Sequence, residues 1–186
     1  MFLNNPYKGD FDHTPEVDRH GHFRDRFYYK GDFYNLPYSK IQKNKSILIF
    51  GGFFIFMILL LVFAGIINPD SSRTIYVVLP YLALLISVIW GVVGLVKYAF
   101  SPLRMNRIEF DKGIKRMKYA VYTSILFDIV SFICDIIFIV KHFGDIRFGI
   151  EVCYLLLLLF VLIALILFGK IFDHFFKAIE IEQIHE

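Results

Sequence analysis

Apolar residues in this chain are gathered into four long blocks, with charged and polar residues between them. The blocks cover residues 47–67, 74–96, 119–140 and 150–169. About 20 apolar residues in an α-helix cross the ~30 Å hydrocarbon layer of a bilayer, so each block is long enough to span it. The pattern predicts an all-α integral membrane protein with four transmembrane helices.

The four blocks belong to one transmembrane domain, residues 46–186, and residues 1–45 form a tail in front of it. After Gly169 the sequence becomes more polar, but large apolar side chains such as Phe172 and Phe176 continue at helical spacing. This spacing predicts a short helical extension of the last transmembrane helix on the membrane surface or against a partner.

The distribution of charge predicts the orientation of the chain in the membrane. Of the 20 Lys and Arg residues, 17 lie in segments on the same side as both termini, and three lie in the two short loops on the other side. Because Lys and Arg are enriched in cytoplasmic loops, we expect both termini in the cytoplasm and the chain in the plasma membrane. The net charge of +3 then follows from topology and indicates no nucleic-acid partner.

Basic residues cluster beside the membrane on the expected cytoplasmic side. A Lys or Arg near an anionic lipid surface gains about 1 kcal/mol. We therefore expect anionic lipids to bind at two places. These are Lys40, Lys43 and Lys45 before the first helix, and the basic residues from Arg104 to Lys118 between the second and third helices.

The tail is rich in aromatic residues and contains a repeat. The sequence Tyr-Lys-Gly-Asp-Phe occurs at residues 7–11 and again at residues 29–33. Gly-Asp between aromatic residues favours a turn that places two rings on one side. One interpretation is a docking motif that is used twice, and the alternative is a pair of unrelated turns. The candidate docking residues are Tyr7, Phe11, Tyr29 and Phe33.

Three histidines, His13, His20 and His22, lie among aspartates in the same tail. Their spacing matches no structural zinc pattern, and no cysteine accompanies them. We expect these residues to be solvated and predict no metal site.

The second helix carries small residues in one row. Ala83, Ser87 and Gly91 follow each other at four-residue steps, and Gly94 lies beside them. Small side chains let another helix approach closely, and packing is a main source of attraction between helices in lipid. The row predicts a helix-packing seam, either within one chain or between the copies of a homo-oligomer.

The third apolar block contains two aspartates, Asp128 and Asp135. Seven residues make about two turns, so the two carboxyls share one face and lie about 10 Å apart. Ser124 and Ser131 fall on the same polar stripe. An Asp at the centre of a membrane helix raises the free energy of insertion by about 2.5–3.5 kcal/mol, whereas each Leu, Ile, Phe or Val lowers it by about 0.3–0.6 kcal/mol. The net free energy of inserting this segment into the bilayer is close to zero, so we expect its polar stripe to face protein or water.

The cores of the four blocks contain no Lys, Arg or His, so hydroxyl groups are the expected partners of the two aspartates. Helix geometry places Ser87 at the depth of Asp128, and Tyr154 at the depth of Asp135. Three roles stay open for the carboxyls. They are neutral groups hydrogen-bonded for structure, groups paired with a basic residue of another subunit, or a path for protons or cations.

Motifs of catalysis are absent from the sequence, which contains no HExxH, no GxSxG and no phosphate-binding glycine loop. We therefore expect a chain that is not an enzyme and holds no cofactor. The function that fits best is a non-catalytic subunit or adaptor of a larger membrane complex, with the tail binding its cytoplasmic partners. The alternative is a small oligomeric channel or transporter that uses the helix-three aspartates, and a membrane sensor for a cytoplasmic effector is third.

Overall fold

A computed structural model describes residues 6–17, 23–67 and 69–182. His20 and His22 of the tail lie outside these residues. Four helices of the described part are long and apolar enough to cross a membrane, which confirms the predicted multi-pass membrane protein. They are α1 (Lys40–Ile67), α2 (Ile75–Phe100), α3 (Arg107–Lys141) and α4 (Phe148–Phe176).

Each helix extends beyond its apolar block on the side that carries both termini. Helix α1 begins at Lys40, α3 begins at Arg107, and α4 continues past Gly169 to Phe176, as the spacing of its apolar residues predicts. An apolar block marks only the part of a helix that lies in hydrocarbon, whereas the backbone hydrogen bonds of the helix continue into the polar turns. Block lengths therefore underestimate the lengths of the helices.

The helices pack through one face each. On α4 the buried residues are Glu151, Tyr154, Leu158, Val161, Leu165, Phe168, Gly169 and Phe172. This spacing of three and four residues is the one by which left-handed helix bundles interlock. The opposite faces of the helices carry exposed Leu, Ile, Val and Phe side chains, which suits contact with lipid.

The row of small residues on α2 lies inside the chain. A Cβ atom on Gly91 would collide with the Phe54 ring of α1 and would stand 3.3 Å from the Cβ of Ala120 on α3. Ser87 is buried in the same row, and Ala83 is half-buried. In the described structure this seam therefore packs α2 against α1 and α3 of the same chain.

Helices α2 and α3 also approach each other closely one turn further along. A Cβ on Gly94 would lie 3.0 Å from the backbone nitrogen of Met117, and a Cβ on Gly113 would lie 3.3 Å from the backbone of Tyr98. At this point α3 contains a π turn, Asp111–Lys115. A π turn inserts one residue into a helix and allows it to bend where another element presses against it.

Helix α3 begins with a capping box. The side-chain oxygen of Asn106 accepts a hydrogen bond from the backbone N–H of Glu109 at 2.8 Å. The Glu109 carboxylate accepts one in return from the backbone N–H of Asn106 at 3.1 Å. The box satisfies two backbone donors at the helix start, so α3 begins well before its apolar block.

Among the described residues, five short strands accompany the helices. The all-α prediction does not include these strands. Strands β1 (Phe11–Val17) and β2 (Phe23–Tyr29) form an antiparallel hairpin. Strand β3 (Phe33–Asn35) is the middle strand of an antiparallel sheet with β4 (Arg104–Asn106) and β5 (Glu180–Glu182). We call this end of the bundle the sheet end, and we call the end with the α1–α2 and α3–α4 connections the turn end.

Tyrosine hydroxyls tie the tail to the bundle at the sheet end. The Tyr98 hydroxyl of α2 lies 2.9 Å from the Ser46 hydroxyl of α1 and 3.2 Å from the Tyr38 hydroxyl of the tail. Burial raises the pKa of the Tyr38 hydroxyl, so it stays neutral. The tail is therefore part of the packed structure from β3 onward.

Lys43, which we expected at the lipid surface, is turned into the bundle. Its side chain is 5% exposed, and its ammonium donates hydrogen bonds to the carbonyl oxygens of Ala99, at 3.5 Å, and Ser101. These carbonyls lie at and just past the end of α2, where the last backbone acceptors of a helix have no partner within the helix. The ammonium caps α2 and complements the negative end of its dipole. Its charge is therefore used inside the protein.

We expect Lys43→Met to destabilise the protein, because it leaves the carbonyls at the end of α2 buried without a donor. The expected loss is about 1–3 kcal/mol in the free energy of unfolding. Lys45→Met is the matched control, because Lys45 is exposed in the same turn of α1. Thermal unfolding of both variants in one detergent measures the difference. Equal midpoints would show that the Lys43 ammonium is no helix cap.

Candidate functional site

Asp128 and Asp135 of α3 lie inside the bundle. Both side chains are 0% exposed. None of their four carboxyl oxygens accepts or donates a hydrogen bond among the described residues. The polar stripe of α3 thus faces protein, as its insertion energetics require. The two carboxyls lack the partners that buried polar groups almost always have.

A third buried carboxyl, Glu151, joins them from the first turn of α4. Its side chain is 0% exposed, and its Oε1 accepts a hydrogen bond from the backbone N–H of Ser71 at 3.0 Å. From the sequence alone Glu151 is an edge residue of an apolar block and receives no role. A signal was present, because Glu151, Tyr154 and Leu158 recur at the spacing of a buried helix face.

Neutral polar side chains lie near the three carboxyls. Tyr154 is 4% exposed and lies close enough to Asp128, Asp135 and Glu151 to interact electrostatically with all three. The side chain of Ser71 and the carboxyl of Glu151 also lie near Asp135. Helix geometry places Asp135 toward the turn end and Asp128 about 10 Å deeper. The result is a run of polar side chains from the turn end to the middle of the bundle.

The serines on and near the stripe do not bond to the aspartates. The Ser87 hydroxyl donates to the carbonyl of Ala83 at 2.8 Å, and the Ser124 hydroxyl donates to the carbonyl of Ala120 at 2.7 Å. The Ser131 hydroxyl is buried without a partner among the described residues. A helical serine readily bonds to the carbonyl one turn before it, and matching depth alone does not distinguish this bond from one between helices.

No ion pair neutralises the three carboxyls within the part of the chain that the structure describes. At the turn end, the Arg147 guanidinium bonds to the Asp70 carboxylate at 2.9 Å. This hydrogen bonding lowers the pKa of Asp70, so the pair is charged at neutral pH. It joins the α3–α4 connection to the 3₁₀ turn Asp70–Arg73, which contains the partner of Glu151.

The carboxyls are spread along the bundle and are not gathered around one point. Among the described residues, no group of three His, Cys, Asp or Glu side chains is close enough to hold a metal ion. Each carboxyl can take up or release one proton, and a buried carboxylate without a counter-charge is costly in a bilayer interior. Proton exchange is therefore the chemistry that this arrangement offers most directly.

Apolar side chains fill the bundle between Asp128 and the sheet end. The ring of Phe50 lies 5.5 Å from that of Phe168 and 5.6 Å from that of Phe172, measured between ring centres. The ring of Phe53 stacks on Phe168 at 3.7 Å. Within one copy of the chain, the polar run therefore stops near the middle of the bundle.

The second copy of the tail pentapeptide packs on the α2–α3 connection of its own chain. The Tyr29 ring contacts the rings of Phe11 and Phe33 edge to face, at 5.3 and 5.0 Å between centres. The Tyr29 hydroxyl donates to the carbonyl of Asp32 at 2.8 Å and accepts from the backbone N–H of Arg107 at 2.9 Å. The second copy forms the link between the hairpin and the bundle.

The first copy of the pentapeptide reaches the first turns of α3, next to this connection. The Tyr7 hydroxyl donates to the Asp111 carboxylate at 3.4 Å, and the Asp10 carboxylate lies 3.4 Å from the Arg107 guanidinium. The structure thus brings the four candidate docking residues together at the base of the hairpin, against this chain. That they also bind a second protein stays a prediction.

Most basic residues from Arg104 to Lys118 have acidic partners in the chain. The pairs are Arg104–Glu182, Arg107–Asp10, Lys115–Asp111 and Lys118–Asp173, with N···O distances of 2.9–3.4 Å. Exposed pairs of this kind stabilise a fold by about 0–1 kcal/mol each. They also reduce the positive charge that this segment presents. Diffuse attraction of anionic lipid to this segment and to the lysines at the start of α1 stays a prediction, and Lys40, Lys45 and Lys112 are exposed there.

The molecule therefore offers two candidate functional regions. One is the buried run of carboxyls, and the other is the aromatic hairpin at the sheet end. Compared with known proteins, the chain matches no family model, no curated protein and no solved structure. The chemistry of these two regions is the basis for assigning a function.

We expect Asp128→Asn and Glu151→Met to affect stability differently. Asp128 makes no hydrogen bond that its amide would lose, so the midpoint of thermal unfolding should stay equal or rise. Glu151→Met leaves the buried N–H of Ser71 without an acceptor and should cost about 1–3 kcal/mol. Both midpoints are measured in one detergent. A larger loss in Asp128→Asn than in Glu151→Met would show that Asp128 has a structural partner after all.

Proposed function

We propose that the chain is a non-catalytic subunit or adaptor of a larger membrane complex. Four helices anchor it in the bilayer, and the hairpin of β1 and β2 binds another subunit. One observation carries the proposal. The hairpin is a two-stranded sheet whose outer edges pair with no other described strand, and it carries exposed aromatic rings.

Two exposed rings of the hairpin, Phe11 and Phe27, lie on one face, and a third, Tyr28, which is 40% exposed, lies on the other. The register pairs Phe11 with Tyr29 and His13 with Phe27, and paired side chains in a sheet point the same way. Phe27 is 70% exposed and Phe11 is 39% exposed. An isolated two-stranded hairpin is only marginally stable in water. A partner that covers this face would bury the rings and stabilise the hairpin.

The open edges of the hairpin support a protein partner over a small ligand. Free N–H and C=O groups along an edge strand can pair with a strand of another protein. Aromatic side chains beside such an edge are suited to anchor the contact, because a few large rings carry much of the binding energy of protein interfaces. The edge and the aromatic face together are the surface that an adaptor needs.

The base of the hairpin is suited to hold a bound partner at a fixed position. Tyr29 joins the hairpin to Arg107 of α3, and the ring of Phe33 in β3 packs against Tyr29. Because β3 also pairs with β4 and β5, the hairpin is connected to three of the four helices. A partner bound here would be fixed relative to the membrane.

We also propose that the sheet end faces the cytoplasm and that the chain resides in the plasma membrane. The excess of Lys and Arg on this side, 17 of 20 residues, supports the orientation. The partner of the hairpin is then a cytoplasmic protein, or the cytoplasmic part of another membrane subunit.

Proton or cation conduction by an oligomer is a second candidate function. The three buried carboxyls favour it, because an ionisable group inside a membrane is a functional-site candidate by default. The packing of Phe50 with Phe168 and Phe172 counts against a path through one copy, so conduction would need a path between copies. We rank the adaptor first for this reason.

Cysteine labelling tests the orientation. In a background with Cys134 and Cys153 replaced by Ala, an impermeant maleimide should reach Lys112→Cys only from the cytoplasm and Asp145→Cys only from outside. Both positions are exposed, one at each end of the bundle. Labelling of Lys112→Cys from outside would overturn the orientation.

Phe27→Ser should weaken binding of the partner by about 1–3 kcal/mol, or roughly 5- to 150-fold, the range for an aromatic anchor. The partner is first identified by purifying the tagged chain from its own membranes in mild detergent. Its affinity for each purified variant is then measured. Tyr28→Ser is the matched control, because Tyr28 neighbours Phe27 in the same strand but points to the opposite face.

Two results would contradict the adaptor. Equal affinities of the wild type and Phe27→Ser would remove the aromatic face from the interface. Purification of a homo-oligomer without another protein, together with proton or cation flux in liposomes, would favour conduction instead.

A further inference from the structure

A cavity of 520 Å³ lies at the sheet end, between the first turns of α3, the last turns of α4 and the sheet. This volume falls within the range of about 300–1,000 Å³ that is usual for small-ligand sites. Phe110, Ile114 and Phe172 are among its apolar walls. On the sheet side, the ring of Tyr34 stacks on Phe110 with 4.1 Å between ring centres.

The end of the apolar block of α4 at Gly169 lets us infer the depth of the cavity relative to the lipid headgroups. The apolar block of α4 ends at Gly169, and Phe172 and Lys177 follow it by about 5 and 12 Å along the chain. The headgroup layer adds about 5–8 Å to each side of the ~30 Å hydrocarbon core. The cavity therefore reaches from the edge of the acyl chains to the phosphate layer and beyond it.

The lining of the cavity carries more positive than negative charge. It contains Lys115, Lys118 and Lys177 and, among its described residues, one acid, Asp173. Lys118 pairs with Asp173 at 2.9 Å, and Lys115 pairs with Asp111 at 3.3 Å. Lys177 forms no ion pair with any residue that the structure describes, so its charge is available to a ligand.

We propose that this cavity binds one anionic phospholipid of the adjoining leaflet. An acyl chain lies against the walls formed by Phe110 and Phe172, and the phosphate binds the ammonium of Lys177, whose side chain is long enough to reach back to the headgroup layer. Apolar walls beside an available ammonium fit an amphiphile with a negative headgroup. A soluble anion would leave the walls in water, and a zwitterionic lipid would gain less from the excess of positive charge.

The site differs from a diffuse basic surface in having walls as well as charge. Its test uses the full-length chain in nanodiscs or mild detergent, with phosphatidylglycerol and phosphatidylcholine as probes. Native mass spectrometry counts the lipids retained and gives their affinities. The wild type should retain one phosphatidylglycerol more tightly than any phosphatidylcholine.

Two variants separate charge from shape. Lys177→Glu should weaken phosphatidylglycerol binding by at least about fivefold, which corresponds to about 1 kcal/mol per basic residue. Ile181→Trp should fill part of the cavity and weaken the binding of both lipids. Ile181 lines the cavity and is exposed enough to be replaced without unfolding the protein. Lys45→Glu is the control, since it removes an exposed charge at the same end of the bundle away from the cavity and should leave the tight site intact.

Three outcomes would overturn the proposal. Equal losses of phosphatidylglycerol affinity in Lys177→Glu and Lys45→Glu would show that the lipid is held by diffuse attraction to positive charge and not by a defined site. Ile179 also lines the cavity, so Ile179→Trp is a second filling variant. Unchanged lipid binding in both Ile181→Trp and Ile179→Trp, with both variants folded by thermal unfolding, would show that the lipid does not occupy the cavity. Equal affinity of the wild type for the two lipids would remove the role of the Lys177 charge.

Discussion

The close approach of α2 and α3 at Gly94 and Gly113 is the contact on which the rest of the structure depends. A side chain at Gly94 would meet the backbone of α3, and a side chain at Gly113 would meet the backbone of α2. Because these helices touch backbone to backbone, the face of α3 that carries Asp128 is directed into the bundle. The short connection between them then places β4 beside the bundle, where β3 pairs with it, and β5 pairs with the other edge of β3.

Three carboxyls are buried without a counter-charge from any residue that the structure describes. This burial costs free energy, and close packing of the helices does not require it. Hydrophobic residues of similar size at Asp128 and Asp135 would be expected to hold the helices together at least as well. Glu151 differs, because it accepts a hydrogen bond from Ser71 and so helps to fix the turn end. The carboxyls of Asp128 and Asp135 on α3 have no such structural role, so they are the better candidates for a functional role.

The number of helices, their approximate spans and the inward direction of the α3 stripe could be predicted from the sequence, because the thickness of hydrocarbon and the helical period determine them locally. Roles that depend on distant segments could not. The partner of Glu151 lies 80 residues away, and the acceptors of the Lys43 ammonium lie at the end of another helix. Strand β3 has three residues and pairs with segments far along the chain, so no local sequence pattern predicts it.

The two ends of the bundle are held by contacts of different kinds. At the sheet end, β3 leads into α1, β4 leads into α3, and β5 follows α4, so the three helices cannot separate without breaking backbone pairs of the sheet. At the turn end, the connections are joined by the exposed Asp70–Arg147 pair and by the bond from Ser71 to Glu151. Exposed ion pairs contribute little and weaken with salt. Any opening of the bundle is thus easiest at the turn end, where it would give water access to the buried carboxyls while the hairpin and the sheet stay in place.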